Sequence, residues 1–394
     1  MTEPPFSIKE IEQALHNGEF CFYYQPKVSF LSGQIAGAEA LLRWVRPDGT
    51  IVMPADYLPL TEETGFITDI SAIMLPLLIE DIEALRAIKS DIQVAYNISA
   101  LDLDSPYLVK MLRSYIGSKR INPGNIQVEV TETAVLGSNE RVLQGLHDLV
   151  ALGIEIAMDD FGTGYSSLDV LSRFPFSIIK FDQGVVRRMA EDARNTHIIR
   201  SSLHLARELS LKTVAEGVED RGTYVFLMAS GCDEVQGYWI SKPVAREDFV
   251  ALFNKGPSWP SSSLGLLYNA WVNHMTYRRK VLDAVYSMSL TNIEEWTKLP
   301  KTNLSHSPAR CRLGMWYLGE QPEENGMPEL NGLEEPHRLM HASGDRLVKS
   351  VQENEGPEAV KKALRVFFDY SDVVDANVSS IVQRWLSETL DGGN

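Results

Sequence analysis

The stretch 154–168, IEIAMDDFGTGYSSL, decides the fold prediction for this chain. A short apolar run ends in two adjacent carboxylates, Asp159 and Asp160, and a glycine-broken turn with two serines follows directly. Apolar runs of this length are typical of buried strands. Two acidic side chains at the mouth of such a strand are unfavourable unless they meet a cation or hydrogen-bond donors. An ordinary acidic turn is the alternative, because Asp and Gly both favour turns.

The composition is that of a globular protein with an acidic charge. The chain has 394 residues, of which 44% are hydrophobic and 23% charged, and its net charge is −16. This length allows two domains. The negative charge disfavours nonspecific binding to duplex nucleic acid, whose phosphates attract basic surfaces. Three cysteines far apart in sequence, Cys21, Cys232 and Cys311, give no disulfide framework.

The N-terminal segment MTEPPFSIKE lacks the basic region and apolar core of a signal peptide. No apolar run reaches the roughly 18 residues that a membrane-spanning helix needs. We therefore expect no membrane span and a cytoplasmic location.

Strand-like and helical patterns alternate through the first 250 residues. The predicted strands are 20–28, 33–44, 92–98, 126–130, 154–158, 178–181, 212–215 and 235–240. Eight strands alternating with helices over about 240 residues fit a (β/α)8 TIM-like barrel. A doubly wound open sheet is the alternative, but it would not bring acidic groups from so many strand ends to one mouth.

Polar side chains occur in or at the ends of most of these strands. They are Glu39, Asn97, Glu129, Asp159, Asp160, Lys180 and Glu216. In a barrel these ends converge on the face that carries active sites. Carboxylates crowded there would repel one another, so divalent cations are expected, and oxygen-only ligands suit Mg²⁺, Mn²⁺ or Ca²⁺.

Two cations about 3.5–4 Å apart and bridged by a carboxylate are the usual arrangement for phosphodiester hydrolysis. The pair Asp159-Asp160 fits such a bridge, and Lys180 would orient or help to deprotonate the attacking water. Ser166 and Ser167 open a helix, whose N-terminus favours an anion such as phosphate.

These residues, in order and spacing, resemble the EAL family, whose members hydrolyse cyclic di-GMP to the linear dinucleotide pGpG. The resemblance covers roughly residues 7–250. The matching elements are Glu39-Ala40-Leu41, Asn97, Glu129-Val130-Thr131-Glu132, the stretch from Asp159 to Leu168, Lys180-Phe181-Asp182, Glu216-Gly217-Val218-Glu219 and Gln236-Gly237-Tyr238.

The resemblance implies a role for each matching residue. Glu39, Asn97, Glu129, Asp159, Asp160 and Glu216 would be ligands of two Mg²⁺ or Mn²⁺ ions. Lys180 would position the water with help from Gln236 and Glu219, and Glu132 would steady the loop after Asp160, which couples dimerisation to metal binding. Gln25, Leu41 and Arg43 would contact the nucleotide.

The C-terminal third has a different pattern. Residues 254–263 are rich in Pro, Ser and Gly and read as a linker between a barrel domain over 1–253 and a second domain over 264–394. Helical patterns over 264–288, 308–318, 333–352 and 357–389 predict a four-helix bundle.

Histidine and cysteine in this third suggest a second metal site. His337 and His341 are four residues apart, so on a helix they share one face, about 6 Å apart along the axis. Two exposed histidines are the alternative. Cys311 lies on another predicted helix, and one sulfur with imidazoles is a tetrahedral zinc set. The region resembles the chemoreceptor zinc-binding (CZB) domain, which implies Zn²⁺ bound by His274, Cys311, His337 and His341. Tyr277 departs from that family, which usually has Trp there.

The sequence therefore predicts a phosphodiesterase of cyclic di-GMP, a homodimer by resemblance, whose activity is tuned by zinc in the C-terminal bundle. A noncatalytic cyclic di-GMP receptor with a structural or partner-binding zinc domain is the alternative.

Overall fold

The computed structural model describes residues 5–136, 139–162, 167–189, 192–261, 263–290, 311, 313–314 and 332–391. By their contacts the residues form two compact units, Met1–Ser261 and Ser262–Asn394. The linker over 254–263 stays a prediction.

The first unit is built on a sheet that closes on itself. Its strands are β1 (Phe20–Ser29), β2 (Ile35–Val45), β3 (Ile51–Val52), β4 (Gln93–Asn97), β5 (Ile126–Thr131), β6 (Glu155–Phe161), β7 (Ile178–Phe181), β8 (Lys212–Ala215), β9 (Glu234–Val235) and β10 (Val244–Ala245). Eight of them pair in the order β1-β9-β8-β7-β6-β5-β4-β2, and β1 also pairs with β2, which closes the barrel. The open sheet is thereby excluded.

The direction of β1 departs from the predicted (β/α)8 pattern. No helix separates β1 from β2, and the two strands form an antiparallel hairpin in which Gln25 lies opposite Glu39. The strand β1 is also antiparallel to β9. The other neighbouring pairs of the barrel, β2–β4, β4–β5, β5–β6, β6–β7, β7–β8 and β8–β9, are parallel. A short hairpin connection forces this reversal, because a parallel pair needs a long crossover.

The eighth predicted strand, 235–240, is wrong beyond its first residue. The observed β9 ends at Val235, and the chain then turns and pairs with the segment around Val218, whose N–H donates to the Gln236 carbonyl at 3.2 Å. Trp239 donates back to the Val218 carbonyl at 3.0 Å. Gly237 permits this approach, since a Cβ at that position would overlap the Val218 backbone.

Helices surround the barrel. They are α1 (Ile8–His16), α2 (Leu58–Thr64), α3 (Ile67–Arg86), α4 (Ala100–Asp104), α5 (Pro106–Gly117), α6 (Glu132–Val135), α7 (Glu140–Ala151), α8 (Ser167–Arg173), α9 (Gln183–Arg188), α10 (Ala193–Glu208), α11 (Arg221–Ser230) and α12 (Arg246–Asn254). Ser7 caps α1 in a reciprocal capping box with Glu10.

The main core lies between the helices and the outer face of the barrel. A small separate cluster of Ala157, Ile178 and Val214 comes from three neighbouring strands, β6, β7 and β8. Polar side chains that are also buried, Lys27 and Gln127, come from β1 and β5. The barrel therefore buries charged and amide groups as well as apolar ones.

The second unit contains three long described helices, α13 (Ser263–Leu290), α14 (Glu334–Gln352) and α15 (Pro357–Asp391). They match three of the four predicted helices. The predicted helix over 308–318 falls outside the described residues except for Cys311, Leu313 and Gly314, so the four-helix bundle stays a prediction. No helix among the described residues is long and apolar enough to cross a bilayer.

Gly37 gives a test of the barrel packing. It pairs with Gln93 between β2 and β4, and a Cβ there would overlap the Gln93 carbonyl oxygen. We expect Gly37→Ala to lower the free energy of unfolding by about 1–3 kcal/mol, the usual cost of forcing extra volume into a packed core. Urea unfolding measures this loss.

Gly117→Ala is the matched control, because a Cβ at the end of α5 meets nothing within 4 Å. Equal unfolding midpoints for the two variants would contradict the proposed close approach of β2 and β4.

Candidate active site

The parallel strands bring the sequence-predicted acidic residues to one end of the barrel. Glu39 lies in β2, Glu129 in β5, Asp159 in β6 and Lys180 in β7, while Glu216 directly follows β8. Glu129, Asp159 and Lys180 lie within two residues of the carboxyl ends of their strands, which is the end where TIM-barrel active sites lie. Glu39 lies in the middle of the longer strand β2, in register with Ala95 near the end of β4.

Lys180 lies at the centre of this group and is fully buried. Its ammonium nitrogen Nζ contacts Glu129 Oε2 at 2.5 Å and Glu216 Oε1 at 2.6 Å. Asp159 Oδ1 lies 3.3 Å away and Glu39 Oε2 lies 3.6 Å away. We call these four carboxylates and Lys180 the lysine cage. Fully ionised, these four carboxylates would carry more charge than one ammonium balances.

Amide side chains fix the orientation of Glu39. Asn97 Nδ2 donates to Glu39 Oε1 at 2.8 Å, and Gln236 Nε2 donates to Glu39 Oε2 at 2.5 Å. The same Gln236 nitrogen donates to Gln25 Oε1 at 2.9 Å. Gln236 therefore holds the Glu39 oxygen that lies 3.6 Å from Lys180, and its implied role as a helper of Lys180 stays a prediction.

Burial and charge shift the cage pKa values in different directions. Burial raises the pKa of Glu129 to about 8 despite the opposing Lys180 charge, and burial also raises that of Glu216. Burial acts the same way on Glu39, but Lys180 and the two amides overcome it, so the Glu39 pKa is lowered. Burial opposes the charged form of Lys180, yet the surrounding carboxylates hold its pKa well above the usual range.

The adjacent carboxylates Asp159 and Asp160 depend on a break in β6. Asp160 has a positive φ of 58°, and its N–H donates to Asp159 Oδ1 at 2.9 Å. The pairing of β6 with β7 shifts register between Met158 and Phe161. Successive side chains of a regular strand point to opposite faces, and a bulge changes the direction in which the side chains beside it point. Burial, then Asp159, raises the pKa of Asp160 to about 6.

A second buried lysine beside Glu129 escaped the sequence prediction. Lys27 is 1% exposed, and its Nζ lies 3.7 Å from Glu129 Oε1. It donates to Gln127 Oε1 at 2.7 Å, and Gln127 Nε2 donates to Gln93 Oε1 at 3.0 Å. The sequence did carry a signal for Lys27: it lies two residues after Gln25 in β1, and residues two apart in a strand share a face.

A cleft opens beside the lysine cage. Its lining residues are Gln25, Glu39, Leu41, Arg43, Gln183, Glu216, Gly217, Glu219, Gln236, Gly237, Tyr238 and Pro243. The three predicted nucleotide contacts, Gln25, Leu41 and Arg43, are all in this wall. Tyr238 belongs to a matching sequence element but was assigned no role; it is 57% exposed, with the Lys242 ammonium 5.4 Å from its ring centre.

The remaining predicted residues lie further from Lys180 or cannot be placed. Glu219 accepts a hydrogen bond from Gln183 Nε2 at 3.3 Å in the cleft wall. Glu132 is buried at the start of α6. Ser166 lies outside the described residues, as does most of the loop that Glu132 was predicted to steady.

The second unit brings together the predicted zinc ligands. His274, Cys311, His337 and His341 each offer a ligand atom, and these atoms all lie within 4.8 Å of one another. The three histidines are at most 2% exposed, so the interpretation of His337 and His341 as exposed is wrong. The Nε2 atoms of His337 and His341 are 3.2 Å apart. We call this group the His/Cys cluster.

Two imidazoles of the His/Cys cluster, those of His274 and His337, are in the protonation state that binds metals. Burial, reinforced by the neighbouring histidines, holds the pKa of His274 well below its usual range. Burial lowers the pKa of His337 to about 4. Both imidazoles are therefore neutral at pH 7, which is the form that coordinates a cation. The two ring nitrogens of His274 are buried without a hydrogen-bond partner among the described residues.

The family model of the EAL domain matches residues 8–243. The chain belongs to the EAL family. No part of that match extends into the second unit, so the likeness of the second unit to the CZB domain rests on the sequence pattern.

Relatives with known names match the same region. The bifunctional diguanylate cyclase/cyclic di-GMP phosphodiesterase MucR of Pseudomonas aeruginosa is 36% identical over 251 residues, covering 62% of this chain and 36% of MucR. The cyclic di-GMP phosphodiesterase RocR of the same species is 33% identical over 244 residues, covering 62% of each protein.

A solved structure of the PaMucR phosphodiesterase in complex with c-di-GMP has a TM-score of 0.57 and 36% identity. It covers 61% of this chain and 98% of that one. The chain spans between 29% and 36% of the length of the first three curated relatives.

Proposed function

We propose that this EAL protein hydrolyses cyclic di-GMP to pGpG at a two-cation site in the barrel, and that zinc in the second unit tunes the rate. The observation that carries the first part is the lysine cage, in which four carboxylates from different strands lie 2.5–3.6 Å from one buried ammonium beside an open cleft. The phosphodiesterases MucR and RocR, similar in this region, support the choice of substrate.

The residues present fit Mg²⁺ or Mn²⁺. The candidate ligands Glu39, Asn97, Glu129, Asp159, Asp160 and Glu216 offer only oxygen, the donor that these cations prefer. Glu129 Oε1 is buried and has no hydrogen-bond partner among the described residues. Bound divalent cations would supply charge neutralisation and lower the pKa of water.

Side chains of the protein would position the attacking water and the metal ligands. Water adds across one P–O3′ bond of the cyclic dinucleotide and leaves a 5′-phosphate and a 3′-hydroxyl. A charged lysine has donors and no acceptor, so Lys180 would orient the attacking water rather than deprotonate it. Gln236 and Asn97 hold Glu39 in place, and the pair Asp159-Asp160 would help to hold the cations.

Removing one ligand charge tests the cation site. We expect Asp159→Asn to lower kcat for cyclic di-GMP by at least about 100-fold, because even residues one layer outside a metal site cost 10–100-fold. Release of pGpG with Mg²⁺ or Mn²⁺ measures the rate, and calorimetric titration with Mn²⁺ measures binding.

Asp91→Asn is the matched control, since Asp91 is exposed in the loop before β4. Retained turnover in Asp159→Asn would contradict the ligand assignment. Tight binding of cyclic di-GMP by the wild-type chain without turnover would instead support the receptor alternative.

The exposed ring of Tyr238 is suited to stacking on a guanine base. Base–aromatic stacking contributes about 1–3 kcal/mol per base. We expect Tyr238→Ala to raise KM for cyclic di-GMP about tenfold with a smaller change in kcat, as measured by steady-state kinetics.

Tyr107→Ala is the control, because Tyr107 is 54% exposed on α5 and does not line the cleft. A KM for Tyr238→Ala equal to that of the wild type would argue that the base binds elsewhere.

The His/Cys cluster supports the zinc half of the proposal. One thiolate with three imidazoles is a tetrahedral zinc donor set. The ring nitrogens of His274 are buried without a hydrogen-bond partner among the described residues, so coordination of a metal ion would satisfy one of them. His274, Cys311, His337 and His341 would hold the ion. Zinc would act on turnover by stabilising the fold of the second unit.

The zinc response is measured on the full chain. We expect the pGpG release rate to differ between zinc-loaded and zinc-depleted wild type, and Cys311→Ala to abolish that difference while losing zinc from the protein. Cys21→Ala, in the barrel, is the control.

Zinc entering the oxygen site of the barrel would slow wild type and Cys311→Ala equally, so the pair separates the two effects. Identical kinetics at all zinc concentrations would leave the second unit structural or partner-binding. A homodimer and a cytoplasmic location belong to the same proposal.

A further inference from the structure

Tyr277 of α13 packs directly against a candidate zinc ligand on α14. The ring centres of Tyr277 and His341 are 4.2 Å apart, and the ring planes are inclined by 32°. The Tyr277 hydroxyl donates to the His341 backbone carbonyl at 3.4 Å. Tyr277 is 6% exposed, so one side chain buries itself against both the ring and the backbone of the same histidine.

A glycine makes room for this hydroxyl. Gly344 lies three residues after His341, and a Cβ there would lie 2.6 Å from the Tyr277 hydroxyl oxygen. The next neighbours, Phe367 Cε2 and Tyr277 Cζ, would be 3.2 Å and 3.4 Å away. The hydroxyl therefore occupies space that any larger residue at position 344 would remove.

We propose that Tyr277 is a positioning residue for the zinc site, which clamps His341 through ring packing and through the hydroxyl seated over Gly344. This inference rests on the zinc part of the proposed function. His341 is joined to its cluster partner His337 through facing Nε2 atoms, so a shift of its ring would misplace a donor atom. Residues that orient metal-binding histidines commonly change metal affinity 10–100-fold when mutated.

The expected effect is on zinc retention. Tyr277→Ala removes the ring and the hydroxyl, and we expect zinc to leave the full-length protein about tenfold faster into an excess of chelator. Tyr277→Phe keeps the ring, so its rate should lie between those of Tyr277→Ala and the wild type. The absorption spectrum of the Co²⁺-substituted protein should change in Tyr277→Ala, because that spectrum reports ligand geometry. Tyr286→Ala, on the same helix and 66% exposed, should match the wild type in both measurements.

Gly344→Ala tests the position of the Tyr277 hydroxyl by changing the residue that it packs against. In the wild-type background the new methyl group meets the hydroxyl and should accelerate zinc loss. In the Tyr277→Phe background the hydroxyl is absent, so the same substitution should have a smaller effect. A double-mutant cycle isolates this coupling.

Three outcomes would overturn the inference, and they are distinguishable. A wild-type chain without bound zinc by elemental analysis would remove the zinc site and the clamp together. Bound zinc with equal release rates in wild type and Tyr277→Ala would remove the clamp alone. Equal effects of Gly344→Ala in both backgrounds would show that the hydroxyl is not seated there. Circular dichroism of each variant confirms that the helices are retained.

Discussion

The contact between the Lys180 ammonium and four carboxylates is the constraint on which the barrel depends. A buried charge is costly unless opposite charges and hydrogen bonds compensate it, and removal of one partner leaves an unpaired charge. Glu39, Glu129, Asp159 and Glu216 come from or directly follow four strands that are far apart in sequence. Only a closed sheet brings them together. Fully ionised, these carboxylates would carry more charge than Lys180 and Lys27 balance, and bound cations would compensate the difference.

The reversed strand β1 supplies the other half of the polar interior. Because β1 is antiparallel to β2, Gln25 lies directly opposite Glu39, and Lys27 lies opposite Gly37, one step deeper in the barrel. Lys27 contacts Gln127 and approaches Glu129 from the side away from Lys180. Glu129 is thus buried between two lysines. The hairpin is therefore part of how the site is built, and a regular (β/α)8 barrel would need another source for these groups.

The sequence predicted much of this arrangement because strand ends carry their own signal. A short apolar run followed by Glu, Asp or Lys identifies both the strand and its functional residue, as at Asp159 and Lys180. The antiparallel β1 was missed, although the gap between the predicted strands 20–28 and 33–44 is too short for the crossover that a parallel pair needs. The turn after Gln236 depends on a backbone contact with Val218, and the positive φ of Asp160 depends on a register shift against β7. These features arise from neighbours distant in sequence.

The two clusters differ in donor chemistry, and this difference would separate the metals proposed for them. The barrel offers oxygen alone, which suits hard cations, whereas one sulfur with three imidazoles favours zinc. A chain that senses zinc while using Mg²⁺ or Mn²⁺ needs such a separation, because zinc binds most mixed sites more tightly than Mn²⁺ does. Burial also affects the protonation state of the candidate zinc ligands. His274 and His337 are kept neutral by burial, so protons would not compete with the proposed zinc ion for them near pH 7. Burial also raises the pKa of the Cys311 thiol, so it favours the metal-binding form of the two imidazoles but not that of the thiol.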